Sequence, residues 1–365
     1  MDQLINPIKD YAWGSRTAIA TLMGREASGP EAEMWLGAHP SGPSRLVRDS
    51  AELTLDQAIA ADPEGTLGAG TVARFGPRLP YLMKLIAVDA PLSLQVHPTS
   101  EQAAEAFARG DANYSDSWHK PEMICALTPF SGLAGFRPAE QAAMLVERLQ
   151  IEALQTVVSR LAADDVLGAL RVLLEWPGSK RELVESIVWA AASIHLADYE
   201  LVCRLARQYP EDPAVLAPLL MHRHELAPGE ALYLGAGVLH CYLDGFGVEI
   251  MAGSDNVLRA GLTTKHIDVD ELLRITVPGA QPLAIAQDGD AYVPPAPEFL
   301  LRRITPAGGH VLGGAVPRIV VCVEGGVNVG SEVKLHPGES VFVPASDGPV
   351  ELSGDGVAFS AEPQI

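Results

Sequence analysis

Gln95, His97, Glu122 and His240 are the side chains of this sequence best suited to chemistry on a metal. Two imidazoles, a carboxylate and an amide oxygen complete a divalent-cation site and leave one or two positions for water or substrate. Gln95 and His97 stand two residues apart, so one strand face holds both, with Glu122 and His240 coming from neighbouring strands. A second polar group follows: Glu249, Asp255, Asn256, Arg259 and Lys265 fall within 17 positions. Carboxylates, an Arg and a Lys do not belong in an apolar core unless each has a partner. Spacing alone leaves two readings open, a built site or polar groups that are merely satisfied along the strand faces.

The elements that must position these residues are legible in the pattern. Tyr81–Val88 is an apolar run that reads as a buried strand containing Lys84. After the turn Asp89-Ala90-Pro91, Ser93, Gln95 and His97 share one strand face, with Leu92, Leu94 and Val96 on the other. Thr99 and Gln102 form a capping box for a short helix ending at Gly110. The loop YSDSWHKPEM then carries Asp116, Trp118, His119, Lys120 and Glu122 into a strand from Met123 to Leu127. Pro228-Gly229 opens a further strand through Leu232 and Leu234, and Asp244-Gly245 reads as a hairpin dipeptide just beyond His240. Strand pairs joined by tight turns suit a barrel interior.

Elsewhere the period changes. YAWGSR and AEMWLGAHPSGPS hold two tryptophans among turn residues, and residues 51–76 read as a short helix and a Gly-rich loop. From Pro138, suited to the first helical position, to about Tyr209 the apolar spacing is helical. Ser179 and Glu182 cap a third helix expected to run through Leu196, and His195 reads as an ordinary core or surface histidine. His222 and His224, two apart on a strand, have no nearby acid in phase. KLHPGESVFVPASDGPVEL (Lys334–Leu352) echoes APGEALYLGAGVLHCYL (Ala227–Leu243) but lacks the histidine.

Composition narrows the class. The chain has 365 residues, enough for two or three domains. No run of 18 apolar residues suggests a membrane span, and the N-terminus has no signal-peptide pattern, so the expected compartment is the cytoplasm. Four scattered cysteines without a CxxC pair read as packed, reduced thiols. A net charge of −20 argues against nucleic acid, and admits an anionic substrate only at a local basic pocket. Of six lysines, Lys84, Lys120 and Lys265 lie in the stretches singled out above, a modest sign of such a pocket.

PLSLQVHP, YSDSWHKPE, HCYLDGFGVEIMAGSDNVLRAGLTTK and the N-terminal YAWGS with AEMWLGAHP together resemble the type I phosphomannose isomerases. The resemblance covers residues 1 to about 285. It implies a mainly β fold with an α insert, built as two cupin-type β-barrels (jelly rolls) plus an inserted all-helical domain. The expected divisions are a catalytic domain in two parts, 1–136 and 215–285, a helical insertion at 137–214, and a C-terminal barrel at 286–365. By the same resemblance Gln95, His97, Glu122 and His240 correspond to the ligands of one zinc ion per chain, and Arg259 to an active-site arginine. Lys120, Glu249 and Asp255 are expected in catalysis, and Lys84, Ser93, His119 and Lys265 in substrate binding. Trp118 departs from the asparagine usual before His-Lys-Pro-Glu, which bears on the pocket edge and not on the ligands.

The implied reaction interconverts mannose 6-phosphate and fructose 6-phosphate by moving a proton between C2 and C1 through a cis-enediol. The metal would polarise the sugar oxygens, Glu249, Asp255 or Lys120 would carry the proton, and His119 would open the ring. The expected partner is a phosphorylated hexose, with no nucleic acid, no membrane and a monomeric chain. Two rivals share the ligand set: a non-catalytic sugar-binding cupin, and a cupin dioxygenase holding iron. The first should have lost a ligand or Arg259, and the second fits the surrounding cations poorly.

Overall fold

Every residue of the strand Tyr81–Val88 is buried, because each of its faces packs against a different layer. The computed structural model describes residues 1–48 and 51–365. Alternation along that strand sends Met83, Leu85 and Ala87 into a core shared with Ile319, Val321, Phe342 and Phe359 of the C-terminal region. Ile86 and Val88 face the opposite way, onto Ile124, Phe130 and Tyr242. Lys84 shares this second face, which is why an ammonium lies inside the molecule.

The strand belongs to an 11-stranded sheet organised around one long strand, His240–Ala252. Gly245 to Ala252 pair with Tyr81–Val88 on one side, and Gly247 to Met251 with Glu122–Ala126 on the other. His240 to Asp244 pair with Phe130–Phe136, and His240 also stands opposite Gln95 of Leu94–Val96. The Asp244-Gly245 dipeptide is therefore not a hairpin. It is a bend at which one strand leaves one group of partners and joins another. Gly245 has φ 127°, and a Cβ there would lie 2.7 Å from the Phe130 Cα. Only glycine fits both demands.

The expectation of closed cupin barrels is corrected. The main path of the large sheet runs from an edge at Leu283–Ile285 to another at Ile8–Lys9, with side branches at Met221–Leu226 and Leu258–Gly261. The C-terminal region adds a six-stranded and a four-stranded sheet, and Arg45–Arg48 pairs with Ala51–Thr54 in a two-stranded one. A closed barrel has no edge strands, and these sheets keep theirs among the described residues. The architecture is a mixed α/β fold of open sheets and helical segments. The alternating pattern that suggested a barrel interior comes from strands of this one branched sheet, whose two faces pack into different cores.

Local signals mostly held. Thr99 and Gln102 cap Ser100–Ala108 reciprocally, and Gly110 follows at φ 73°. Ser179 caps a helix that ends at Ala191 rather than Leu196, and a separate helix covers Ala197–Gln208. Residues 55–75 form three short helices where one was expected. The two echoing segments both turn at glycines with positive φ, Gly229 and Gly338, before the strands Ala231–Leu234 and Ser340–Val343. The first strand, Asp2–Leu4, pairs with Ser340–Val343 across the whole chain. Among the described residues no helix is long and apolar enough to cross a membrane.

Candidate metal centre

His97, Glu122 and His240 offer ligand atoms within 4.8 Å of one another, all three side chains being buried. Their elements explain the convergence. His97 follows the strand Leu94–Val96, Glu122 begins Glu122–Ala126, and His240 begins the long strand. The His97 Nε2 lies 3.3 Å from Glu122 Oε1, and the His240 Nε2 lies 3.4 Å from Glu122 Oε2. Gln95 stands opposite His240 in register, with its side-chain amide 3.3 Å from the His240 Nε2. Rotating the amide about its last bond puts the carbonyl oxygen in that position, as a metal would require.

Both imidazoles are oriented from behind. His97 Nδ1 lies 2.8 Å from the Asn256 carbonyl and His240 Nδ1 lies 2.9 Å from the Val238 carbonyl. Each Nδ1–H donates to its carbonyl, which leaves the Nε2 lone pair aimed at the cluster. Burial pushes His97 down to about 4, so at neutral pH it is the uncharged, ligating form. Burial opposes the Glu122 carboxylate, but the Lys120 ammonium leads the groups that outweigh it and hold the carboxylate well below the usual range. Glu122 is thus an anion in an enclosed place. His97 Nε2 and Glu122 Oε2 are nevertheless buried without any hydrogen-bond partner. Such orphaned atoms are costly unless something completes them, and a divalent cation meets the need of both. The donor set, with nitrogen and oxygen ligands and no thiolate, suits zinc.

A cleft of about 810 Å³ opens beside the cluster, lined by Gln95, Ser93, Lys84, Lys120, Asp255, Arg259 and Lys265 among others. Arg259 lies directly across from Gln95 in the strand Leu258–Gly261. Its guanidinium titrates below its ordinary value through burial alone, with no carboxylate to compensate. Lys120 Nζ reaches Glu122 Oε1 at 3.0 Å. Lys84 lies between two carboxylates, 3.2 Å from Glu249 and 3.4 Å from Glu33. Burial works against its ammonium, yet Glu33 and Glu249 more than offset this and raise its pKa. Glu249 is itself raised: burial outweighs the opposing pull of Lys84, and the nearby Glu122 and Glu33 carboxylates add to the rise. Asp255, 48% exposed, meets His39 at 3.4 Å near the mouth.

One residue expected at the substrate is turned elsewhere. His119 Nε2 lies 2.7 Å from Glu298, a residue of the C-terminal region, and His119 is absent from the cleft lining. Trp118 is exposed, with the Arg78 guanidinium stacked 3.5 Å from its ring centre, and lines a neighbouring cavity of about 500 Å³. His195, His222 and His224 take no part in the metal-ligating group found among the described residues. Sequence reasoning gave no role to Asn256 or Glu33. Asn256 is fully buried, donates to the Asp116 and Trp118 carbonyls at 2.8 Å each, and so ties the Asp116–Lys120 loop to the His97 support. The signal for Glu33 was present in AEMWLGAHP, where an acid sits two residues before Trp35 in an apolar strand.

Comparison with known proteins follows the same line. Residues 1–139 match the family model described as phosphomannose isomerase type I, catalytic domain. Over 383 residues the chain is 33% identical to the mannose-6-phosphate isomerase of Escherichia coli, covering 98% of each. It superposes on a mutant phosphomannose isomerase from Salmonella typhimurium with a TM-score of 0.94 at 32% identity, over 100% of both chains. A mannose 6-phosphate isomerase bound with zinc and yttrium matches with a TM-score of 0.92 at 33% identity, again over 100% of both.

Proposed function

This chain belongs to the type I phosphomannose isomerases, and from that membership we propose how its own residues carry the reaction. It is a zinc-dependent mannose-6-phosphate isomerase that interconverts mannose 6-phosphate and fructose 6-phosphate. His97, Glu122 and His240 hold the metal, and Gln95 supplies the fourth ligand in this reading. The chemistry bound zinc supplies is Lewis-acid polarisation of the sugar oxygens. The observation that carries the reading is the pair of orphaned buried atoms, His97 Nε2 and Glu122 Oε2, beside a cleft whose lining includes Gln95, Lys120 and the carboxylate-free Arg259.

The remaining roles follow from charge and burial. Arg259 receives the phosphate or the oxygen on which negative charge develops, since its planar fork lacks a carboxylate partner. Lys265, exposed on the cleft wall, adds charge near the solvent side, and Ser93 lines the cleft close to Gln95. Glu249 suits the role of proton carrier best. It is 3% exposed and stands 3.2 Å behind Lys84, which lines the cleft as Glu249 itself does not, and burial raises its proton affinity toward that of a general base. Asp255 is more exposed and serves the rim, while Lys120 is engaged with Glu122 and neutralises part of its charge. Lys84 steadies Glu249 from the adjacent strand. The local cations reconcile a phosphorylated substrate with a chain of net charge −20. A cytoplasmic, monomeric enzyme is the working picture.

The test is removal and return of the metal. Chelation should abolish conversion of mannose 6-phosphate and added zinc should restore it. Full turnover in protein shown by elemental analysis to be metal-free would end the proposal.

A further inference from the structure

The buried charge on Lys84 is shared, and the sharing is built across three strands. Trp35, Lys84 and Glu249 occupy directly paired positions, Trp35 opposite Lys84 and Lys84 opposite Glu249. Glu33 precedes Trp35 by two residues and therefore lies on the same face. The Trp35 Nε1–H donates to Glu33 Oε2 at 2.6 Å, and Lys84 approaches that same oxygen at 3.4 Å. Glu33, Trp35 and Lys84 are each 7% exposed, and all three line the cleft. The Lys84 ammonium also lies 5.2 Å from the Trp35 ring centre. Glu33 is thus fixed by an indole that can do little else, and its position matters to a lysine already within reach of Glu249.

One ammonium between two carboxylates behaves differently from a single ion pair. In a one-to-one buried pair the carboxylate is held by the full attraction of its partner and gives up basicity. With Glu33 competing, Lys84 is held by both acids at once, 3.2 Å from Glu249 and 3.4 Å from Glu33, so neither carboxylate has the ammonium to itself. Glu33 also adds negative charge near Glu249, which favours proton uptake there. We propose that Glu33, anchored by Trp35, is a positioning residue that divides Lys84 between two carboxylates and so leaves Glu249 able to take and return the substrate proton. The inference rests on the reading of Glu249 as the proton carrier.

Glu33→Gln is the sharpest probe, because the amide oxygen can still accept from Trp35 while the charge is gone. Lys84 keeps Glu249 as a counter-ion, so the fold retains a compensated ammonium. Turnover should fall about 10- to 100-fold, less than loss of a general base itself would cause. KM should stay within about twofold and zinc content should be unchanged. With mannose 6-phosphate deuterated at C2, the isotope effect on kcat should increase, because proton transfer becomes more rate-limiting. Trp35→Phe keeps the ring and removes the donor, and should lower kcat in the same direction by roughly 3- to 10-fold; it carries the test if Glu33→Gln fails to fold. Wild-type kcat in Glu33→Gln, an unchanged isotope effect, or a loss explained by KM or zinc would overturn the proposal. Glu249→Gln measured alongside separates the two ideas. Retained turnover in Glu249→Gln sinks the reading of Glu249, whereas an inactive Glu249→Gln beside a normal Glu33→Gln sinks only the role of Glu33.

Discussion

Replacing Arg259 with alanine isolates the part of catalysis that depends on a free guanidinium. The side chain projects from Leu258–Gly261 directly opposite Gln95, half-buried, and it lowers its own pKa only through burial. No internal carboxylate would be left unpaired by its removal, so the fold should lose little. A guanidinium can offer two hydrogen bonds to a phosphate or a developing oxyanion. Each charge-assisted bond is worth about 1.5–3 kcal/mol, so two give roughly 3–6 kcal/mol. Water reaches a half-buried head group and screens it, which favours the lower end, about 3 kcal/mol. At about 1.4 kcal/mol per factor of ten, kcat/KM should fall on the order of 100-fold. The assay follows fructose 6-phosphate formation across substrate concentrations, with zinc measured on the same preparation. A rise in KM assigns the loss to phosphate binding, and a fall in kcat assigns it to the transition state. Arg259→Lys keeps the charge without the fork and should recover only part of the loss. A kcat/KM for Arg259→Ala within about threefold of the parent enzyme, with zinc in place, would refute the reasoning.

Other consequences are open to direct measurement. His240→Ala should purify without stoichiometric zinc, whereas His195→Ala should retain it; equal metal in both would remove His240 from the ligand set. Asn256→Ala keeps the backbone carbonyl that His97 bonds but cuts that segment loose from the Asp116–Lys120 loop, and should weaken zinc affinity about 10-fold, measured by competition with a chelating dye; unchanged affinity would deny the support role. Gly245→Ala places a side chain at φ 127° against Phe130, costing roughly 1–3 kcal/mol from the backbone conformation alone. Its urea midpoint should fall, and an unaltered midpoint would mean the bend is not obligatory. Glu271 is held below its ordinary value of 4.5, chiefly by hydrogen bonds from Arg274. Its folded pKa is lower than its unfolded one, so it stabilises fully above about pH 4.5 and loses that contribution as pH falls through the folded value. Thermal melts should therefore show Glu271→Gln losing less stability than the parent between neutral and acidic pH; parallel curves would contradict this.

The ligands were legible because metal chemistry restricts residue types and because a two-residue repeat fixes which side chains share a strand face. His97, Glu122 and His240 form the group so gathered, the spacing placed Gln95 on the face of His97, and the resemblance supplied the roles that spacing left open. Caps at Thr99 and Ser179 were legible for a similar reason: they depend on contacts three residues apart. What the sequence left undetermined depends on distance along the chain. Asp244-Gly245 has the composition of a hairpin, yet pairing on both sides makes it a bend in a continuous strand. His119 has the company of a substrate ligand, but Glu298, 179 residues later, claims it. Glu33 gains meaning only when Lys84 and Glu249 are laid beside it by two neighbouring strands. Likewise, alternating strands specify two faces without specifying whether a sheet closes on itself. Local periodicity sets the direction of each side chain, and only the long-range pairing of strands decides what it meets.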